Sequence, residues 1–132
     1  DIFLYDMKYS DNTLAAKYSG VVDYVENNRR SFEFILKSKK NKFDEDGIMQ
    51  EGIIIRHLVL PNYMDNTLEV LKYLSPFKEQ IYISLMFQYF PTYRAEKYPK
   101  IKRKITRAER DMVLKYFNAL KFSQGWVQEL CK

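Results

Sequence analysis

The chain has one cysteine, one histidine and four glycines in 132 residues. The lone thiol, Cys131, excludes an internal disulfide and leaves no cysteine cluster to hold a metal. The lone histidine, His57, excludes a metal-spaced histidine pair, and neither a nucleophile elbow nor a phosphate-binding glycine loop occurs. Four glycines leave little room for a nucleotide cradle. No apolar run reaches the roughly 18 residues that a membrane span requires, and no stretch reads as a signal peptide. With so little cysteine, a reducing cytoplasm is the expected setting.

What is present points to an ordered domain. Hydrophobic residues make up 46% and aromatics 16% of the chain, too much for a disordered segment and enough for one domain with a core. The net charge is +5. Its basic residues lie mainly at positions 37–42 and 97–110, without the interleaved aromatics of a stacking platform. A solvated face is therefore expected rather than a nucleic-acid surface, with a small basic binding module as the alternative reading. The sequence starts Asp1-Ile2-Phe3-Leu4-Tyr5, inside an apparent strand and without Met, so a piece of a longer protein is expected.

The most informative run is Gly52-Ile53-Ile54-Ile55-Arg56-His57-Leu58-Val59-Leu60-Pro61. A near-continuous apolar stretch between a glycine and a proline reads as a strand buried on both faces, the kind found in helix-covered parallel sheets. Arg56 and His57 in its middle are costly unless they are paired or line a site. Around it, residues 1–9 read as a strand, 12–18 as a short helix closed by Gly20, and 22–38 as a longer helix. An Asp46-Gly47 turn signals a hairpin over 43–49. Asp65 or Asn66 caps a helix to Leu74, residues 81–90 form another strand, and Thr106 and Glu109 have capping-box spacing for a helix to Leu120. Gly125-Trp126-Val127 forms a last short strand or packs the helix end. Strands alternating with helices predict an α/β fold with about three parallel strands.

Parallel sheets bind ligands at the C-terminal ends of their strands. Those ends carry Asp6 and Lys8, then Arg56 and His57, then Gln88 and Tyr89. Two cations with a carboxylate and an amide nearby suit an anionic or zwitterionic ligand, and the arginine fork suits a carboxylate. Each has a plainer reading too: Arg56 bridging Asp6, His57 packed in the core, Gln88 satisfying backbone groups, and Tyr93 and Tyr98 packing a loop.

Asp6-Met7-Lys8, Tyr18-Ser19-Gly20, Asp46-Gly47-Ile48, the run from Gly52 to Pro61 and the segment from Ser84 to Ala95 together resemble the C-terminal half of radical S-adenosylmethionine proteins, closest to the pyruvate formate-lyase activating enzyme-like group. The resemblance implies the second half of a partial (β/α)6 TIM-like barrel, spanning 1–132 as one domain. It also implies a parent in which a 4Fe-4S cluster on a CxxxCxxC loop cleaves S-adenosylmethionine to a 5′-deoxyadenosyl radical, which takes hydrogen from a glycyl-radical enzyme or a small molecule. This chain lacks the cysteine loop and the Gly-Gly-Glu segment that contacts the amino group of S-adenosylmethionine, so by itself it is expected to hold no cluster and to be inactive. The resemblance places Lys8 facing the active site, Arg56 at the carboxylate of S-adenosylmethionine and Gln88 near its ribose. Asp6, His57 and Tyr89 are then expected to line the pocket. A half barrel is also expected to dimerise through its exposed edges.

Overall fold

A computed structural model describes residues 2–38, 42–122 and 125–127. Strand β1 (Ile2–Asp6) leads into helix α1 (Asn12–Ser19) and helix α2 (Tyr24–Ser38). Strands β2 (Lys42–Phe43) and β3 (Met49–Leu58) follow, then helix α3 (Met64–Leu74), strand β4 (Tyr82–Met86), helix α4 (Arg107–Ala119) and strand β5 (Gly125–Val127). Short 3-10 turns cover Ser75–Phe77, Tyr93–Lys97 and Pro99–Ile101.

Local chemistry sets several of these limits. Asp11 caps α1 by accepting from the backbone N–H of Thr13 at 2.6 Å, and Gly20 closes it at φ +65°, a left-handed conformation that glycine adopts without strain. Asp23, at φ +56°, separates α1 from α2 and moves the start of the second helix to Tyr24. Helix α3 starts at Met64 without a side-chain cap. Asn66, expected as its cap, instead lies inside the helix and reaches elsewhere. The Asp44 carboxylate accepts from the backbone of Asp46 and Ile48, both at 2.9 Å, and shapes the turn between β2 and β3.

The five strands form one sheet in the order β1-β3-β4-β5, with β2 beside β3. Strand β3 pairs in parallel with β1 (Asp6 opposite Arg56) and with β4 (Arg56 opposite Ser84), and β4 pairs in parallel with β5. Strand β2 runs antiparallel to β3, with a register irregularity between Lys42 and Phe43. The expected fold is corrected here. The molecule is a mixed, open α/β sheet of five strands, not a three-stranded parallel fragment of a (β/α)6 barrel. The Asp44–Gly47 turn folds a hairpin strand antiparallel onto the start of β3, and β5 extends the other side.

One face of the sheet carries the core. Ile53, Ile55, Val59, Ile83, Leu85 and Phe87 are buried there against Phe32 of α2, Val70, Leu71 and Leu74 of α3, and Val113 and Phe117 of α4. Phe32 meets Phe77 edge-on at 5.3 Å between ring centres. Side chains alternate across a strand, so Ile2, Leu4, Ile54, Leu58, Tyr82 and Met86 belong to the opposite face. Leu4 is 58% exposed there. Among the described residues the main core thus lies on one face of β3.

Candidate functional site

A cavity of about 240 Å³ lies where β1, β3 and β4 end. Lys8 and Tyr9 follow β1, Leu58 and Leu60 close β3, Tyr89 follows β4, and Tyr18 comes from α1. Thr92, Ala95, Tyr98 and Ile101, from the segment of the 3-10 turns, complete the wall. Parallel pairing brings the three strand ends level, as expected for an α/β binding site.

The aromatic wall is built from mutual edge-on contacts. Tyr18 meets Tyr98 at 5.0 Å and Tyr63 at 5.6 Å between ring centres, both near perpendicular. The hydroxyls of Tyr18 and Tyr63 are hydrogen-bonded to each other. The Tyr89 hydroxyl donates to the Ile101 carbonyl at 2.9 Å, and the hydroxyls of Tyr9 and Ser19 lie 2.8 Å apart. Burial raises the pKa of Tyr18, and the hydrogen bond to Tyr63 and the neighbouring phenols raise it further. Burial also raises that of Tyr89. Among the described residues that line the cavity, Lys8 is the one basic or acidic side chain. Its ammonium has no hydrogen bond or ion pair to a described residue.

Asn66 holds the backbone around Lys8. Its side chain donates to the Lys8 carbonyl at 2.9 Å and accepts from the Ser10 N–H at 2.7 Å. It is 5% exposed. The Tyr24 hydroxyl accepts from the Lys8 N–H at 2.9 Å. The loop after β1 is therefore fixed by α2 and α3 together.

The remaining candidates are placed differently. Arg56 sits on the open face and donates through Nε and Nη2 to the two Asp6 oxygens, at 2.7 and 3.1 Å. Asp6 first by hydrogen bond and then by charge raises the pKa of the guanidinium. Both side chains are a little over two-fifths exposed, and exposed pairs contribute about 0–1 kcal/mol. Asp6→Asn should accordingly shift the unfolding free energy by less than about 1 kcal/mol in urea titrations. A loss of several kcal/mol would mean that the pair anchors β1 to β3.

His57 takes the opposite face and is fully buried. Its Nδ1 lies 2.7 Å from the Met7 carbonyl oxygen and its Nε2 lies 2.8 Å from the Thr67 hydroxyl. A carbonyl only accepts, so Nδ1 carries the proton and Nε2 accepts from Thr67. Burial pulls the pKa down to about 4 against the opposing effect of the Met7 bond. This is a neutral core histidine, and the expectation that it lines the pocket is corrected. Asp6 is likewise taken by Arg56 outside the cavity wall. Gln88 is exposed and absent from that wall, whereas Lys8 and Tyr89 belong to it.

A second cluster supports the cavity from outside. Arg103 donates to both Glu109 oxygens, at 2.7 and 3.1 Å, and to the Asn62 side chain at 2.9 Å. Glu109 also accepts from the backbone of Asn62 and Thr106, and Asn62 donates to the Lys100 carbonyl. Asn62, at φ +68°, leads directly into Tyr63.

Among the described residues no three histidine, cysteine, aspartate or glutamate side chains group as a metal site, and no helix is long and apolar enough to cross a membrane. Cys131 lies outside the described residues. No family model matches the chain, and no solved structure matches it. An uncharacterized protein of Methanocaldococcus jannaschii is 34% identical over 115 residues, covering 86% of this chain. The chain spans 30% of the length of that relative.

Proposed function

We propose that these residues belong to a longer radical S-adenosylmethionine enzyme resembling the pyruvate formate-lyase activating enzymes, and that they form its ligand-facing C-terminal part. The observation that carries the reading is the meeting of Lys8, from Asp6-Met7-Lys8, and Tyr89 in one cavity at the C-terminal ends of parallel strands. Arg56 supports it. Asp6 occupies Nε and Nη2, which leaves Nη1 without a hydrogen-bond partner among the described residues. That nitrogen suits the carboxylate of S-adenosylmethionine.

The described residues do not fit a 4Fe-4S cluster, since they contain no cysteine. Its ligands would come from another part of the protein. A reducing, cytoplasmic setting agrees with the single cysteine of the chain.

The test is 5′-deoxyadenosine release from S-adenosylmethionine by the full-length protein, reconstituted anaerobically and reduced. Release is expected, and Arg56→Ala should lower kcat/KM for S-adenosylmethionine at least tenfold, in line with losing a charge-assisted hydrogen bond. A full-length protein that holds a cluster and releases nothing would overturn the reading.

A further inference from the structure

The cavity has a chemical character that the radical reading does not use. It is lined by Tyr9, Tyr18, Tyr89 and Tyr98 with the aliphatic Leu58 and Leu60, and by Lys8, whose ammonium has no partner among the described residues. At about 240 Å³ it lies below the roughly 300–1,000 Å³ of drug-sized sites, a size that suits a single ring with a short substituent. The rings already pack edge-on, so a flat aromatic guest extends the same arrangement, which an aliphatic guest of equal size does not.

Two further cations stand close to the aromatic wall. Lys17 lies 5.3 Å from the Tyr18 ring centre and Lys100 lies 5.7 Å from that of Tyr63, both against wall rings or their direct neighbours. The carboxylates on nearby elements are engaged: Asp6 with Arg56, Glu96 with Lys102, and Glu109 with Arg103. An anion entering the cavity therefore meets a positive field with no free carboxylate on its described walls.

We propose that the cavity binds a small aromatic carboxylate, with the tyrosine rings holding the ring and Lys8 the carboxylate. Within the function proposed above this ligand is the substrate or an effector, but the binding itself does not require that function.

The experiment is a titration of the full-length protein with benzoate, followed by ligand-observed NMR without S-adenosylmethionine or reductant. Its failure is thereby separate from failure of the radical reading. Benzoate should bind, while benzamide, which has the same shape without charge, and cyclohexanecarboxylate, which has the charge without the aromatic ring, should each bind at least fivefold more weakly. Lys8→Met, which keeps the aliphatic stem, should weaken benzoate about tenfold, and Arg56→Ala should leave it within twofold. Circular dichroism of both variants checks that the fold is kept. Equal binding of benzoate and cyclohexanecarboxylate, or benzoate affinity that depends on Arg56 and not on Lys8, would overturn the proposal. So would a wild-type protein that binds no benzoate.

Discussion

His57→Ala should cost the chain about 3 kcal/mol of unfolding free energy at pH 7, measured by urea denaturation. The substitution empties a fully buried site and orphans two polar groups at once, the Met7 carbonyl and the Thr67 hydroxyl. The first sits at the end of β1 and the second in α3, so the imidazole ties strand, sheet centre and helix together. The penalty should also depend on pH. The folded imidazole takes up its proton only near pH 4, the unfolded one near 6.5. Between those values the unfolded state holds more protons, so acid favours unfolding. The contribution of His57 is fully present above about pH 6.5 and is lost as pH falls toward 4. The whole difference amounts to roughly 3 kcal/mol, and about 2 kcal/mol of it is gone by pH 5. The gap between wild type and His57→Ala should therefore narrow to about 1 kcal/mol at pH 5. His57 is the only histidine in the chain, and carboxylates titrate mainly below that window, so the slope is attributable to this one group. Parallel pH curves for the two proteins would show that the imidazole is not held neutral in the core.

The same strand is only partly legible in the sequence. The run from Gly52 to Pro61 is legible as a central strand because it is apolar, β-rich and bounded by a glycine and a proline. Its two faces are not legible. Ile54, Leu58 and Leu60 on one face are as apolar as Ile53, Ile55 and Val59 on the other, so no period-2 contrast tells which side the helices cover. Arg56 and His57 are adjacent, and adjacency in a strand means opposite faces. One therefore became an exposed ion pair and the other a core residue. Reading them as joint members of one pocket overlooked that alternation, which was available from the sequence.

Other features depended on contacts distant in sequence. Asn66 looked like a helix cap because asparagine favours helix starts. Its actual partners, Lys8 and Ser10, lie 56 to 58 residues earlier, and no local pattern announces such a reach. Tyr18 and Tyr98 form one wall although 80 positions separate them, and Tyr98 alone reads as ordinary loop packing. Lys8 and Tyr89 were legible because strand ends in a parallel sheet are a general place for ligands. The barrel expectation failed for a different reason. Alternating strands and helices establish parallel pairing between neighbours, but they do not say whether a sheet stays open or which hairpin strand joins it.

Glu109→Ala should destabilise the chain by about 2–3 kcal/mol at pH 7, from losing a helix cap of about 1 kcal/mol and charge-assisted hydrogen bonds of about 1.5–3 kcal/mol, which overlap. The Thr106–Glu109 capping box was visible in the sequence, and both halves of it form. What was not visible is that the same carboxylate also serves Arg103 and the Asn62 backbone. Burial raises the Glu109 carboxyl, but the Arg103 hydrogen bond and those from the Thr106 and Asn62 backbones outweigh it and bring it to about 2, well below its ordinary 4.5. A carboxyl depressed in the folded state stabilises above its unfolded pKa, and that stability is lost as pH falls from about 4.5 to about 2. The deficit of Glu109→Ala should thus be constant from pH 7 to 5 and shrink below pH 4, whereas a group whose titration is unaffected by folding would leave it independent of pH. A double-mutant cycle with Arg103→Met separates cap from ion pair. A coupling of about 1–2 kcal/mol assigns that share to Arg103, whereas additive losses would leave the cap as the whole effect. The consequence reaches the cavity. Glu109 and Arg103 hold Asn62 in its left-handed conformation, Asn62 sets the direction of the chain at Tyr63, and Tyr63 supports Tyr18 edge-on and by hydrogen bond. Glu109→Ala should therefore weaken benzoate several-fold without touching the cavity wall, while Asp6→Asn, two residues from the wall residue Lys8 but outside this chain of contacts, should leave it unchanged.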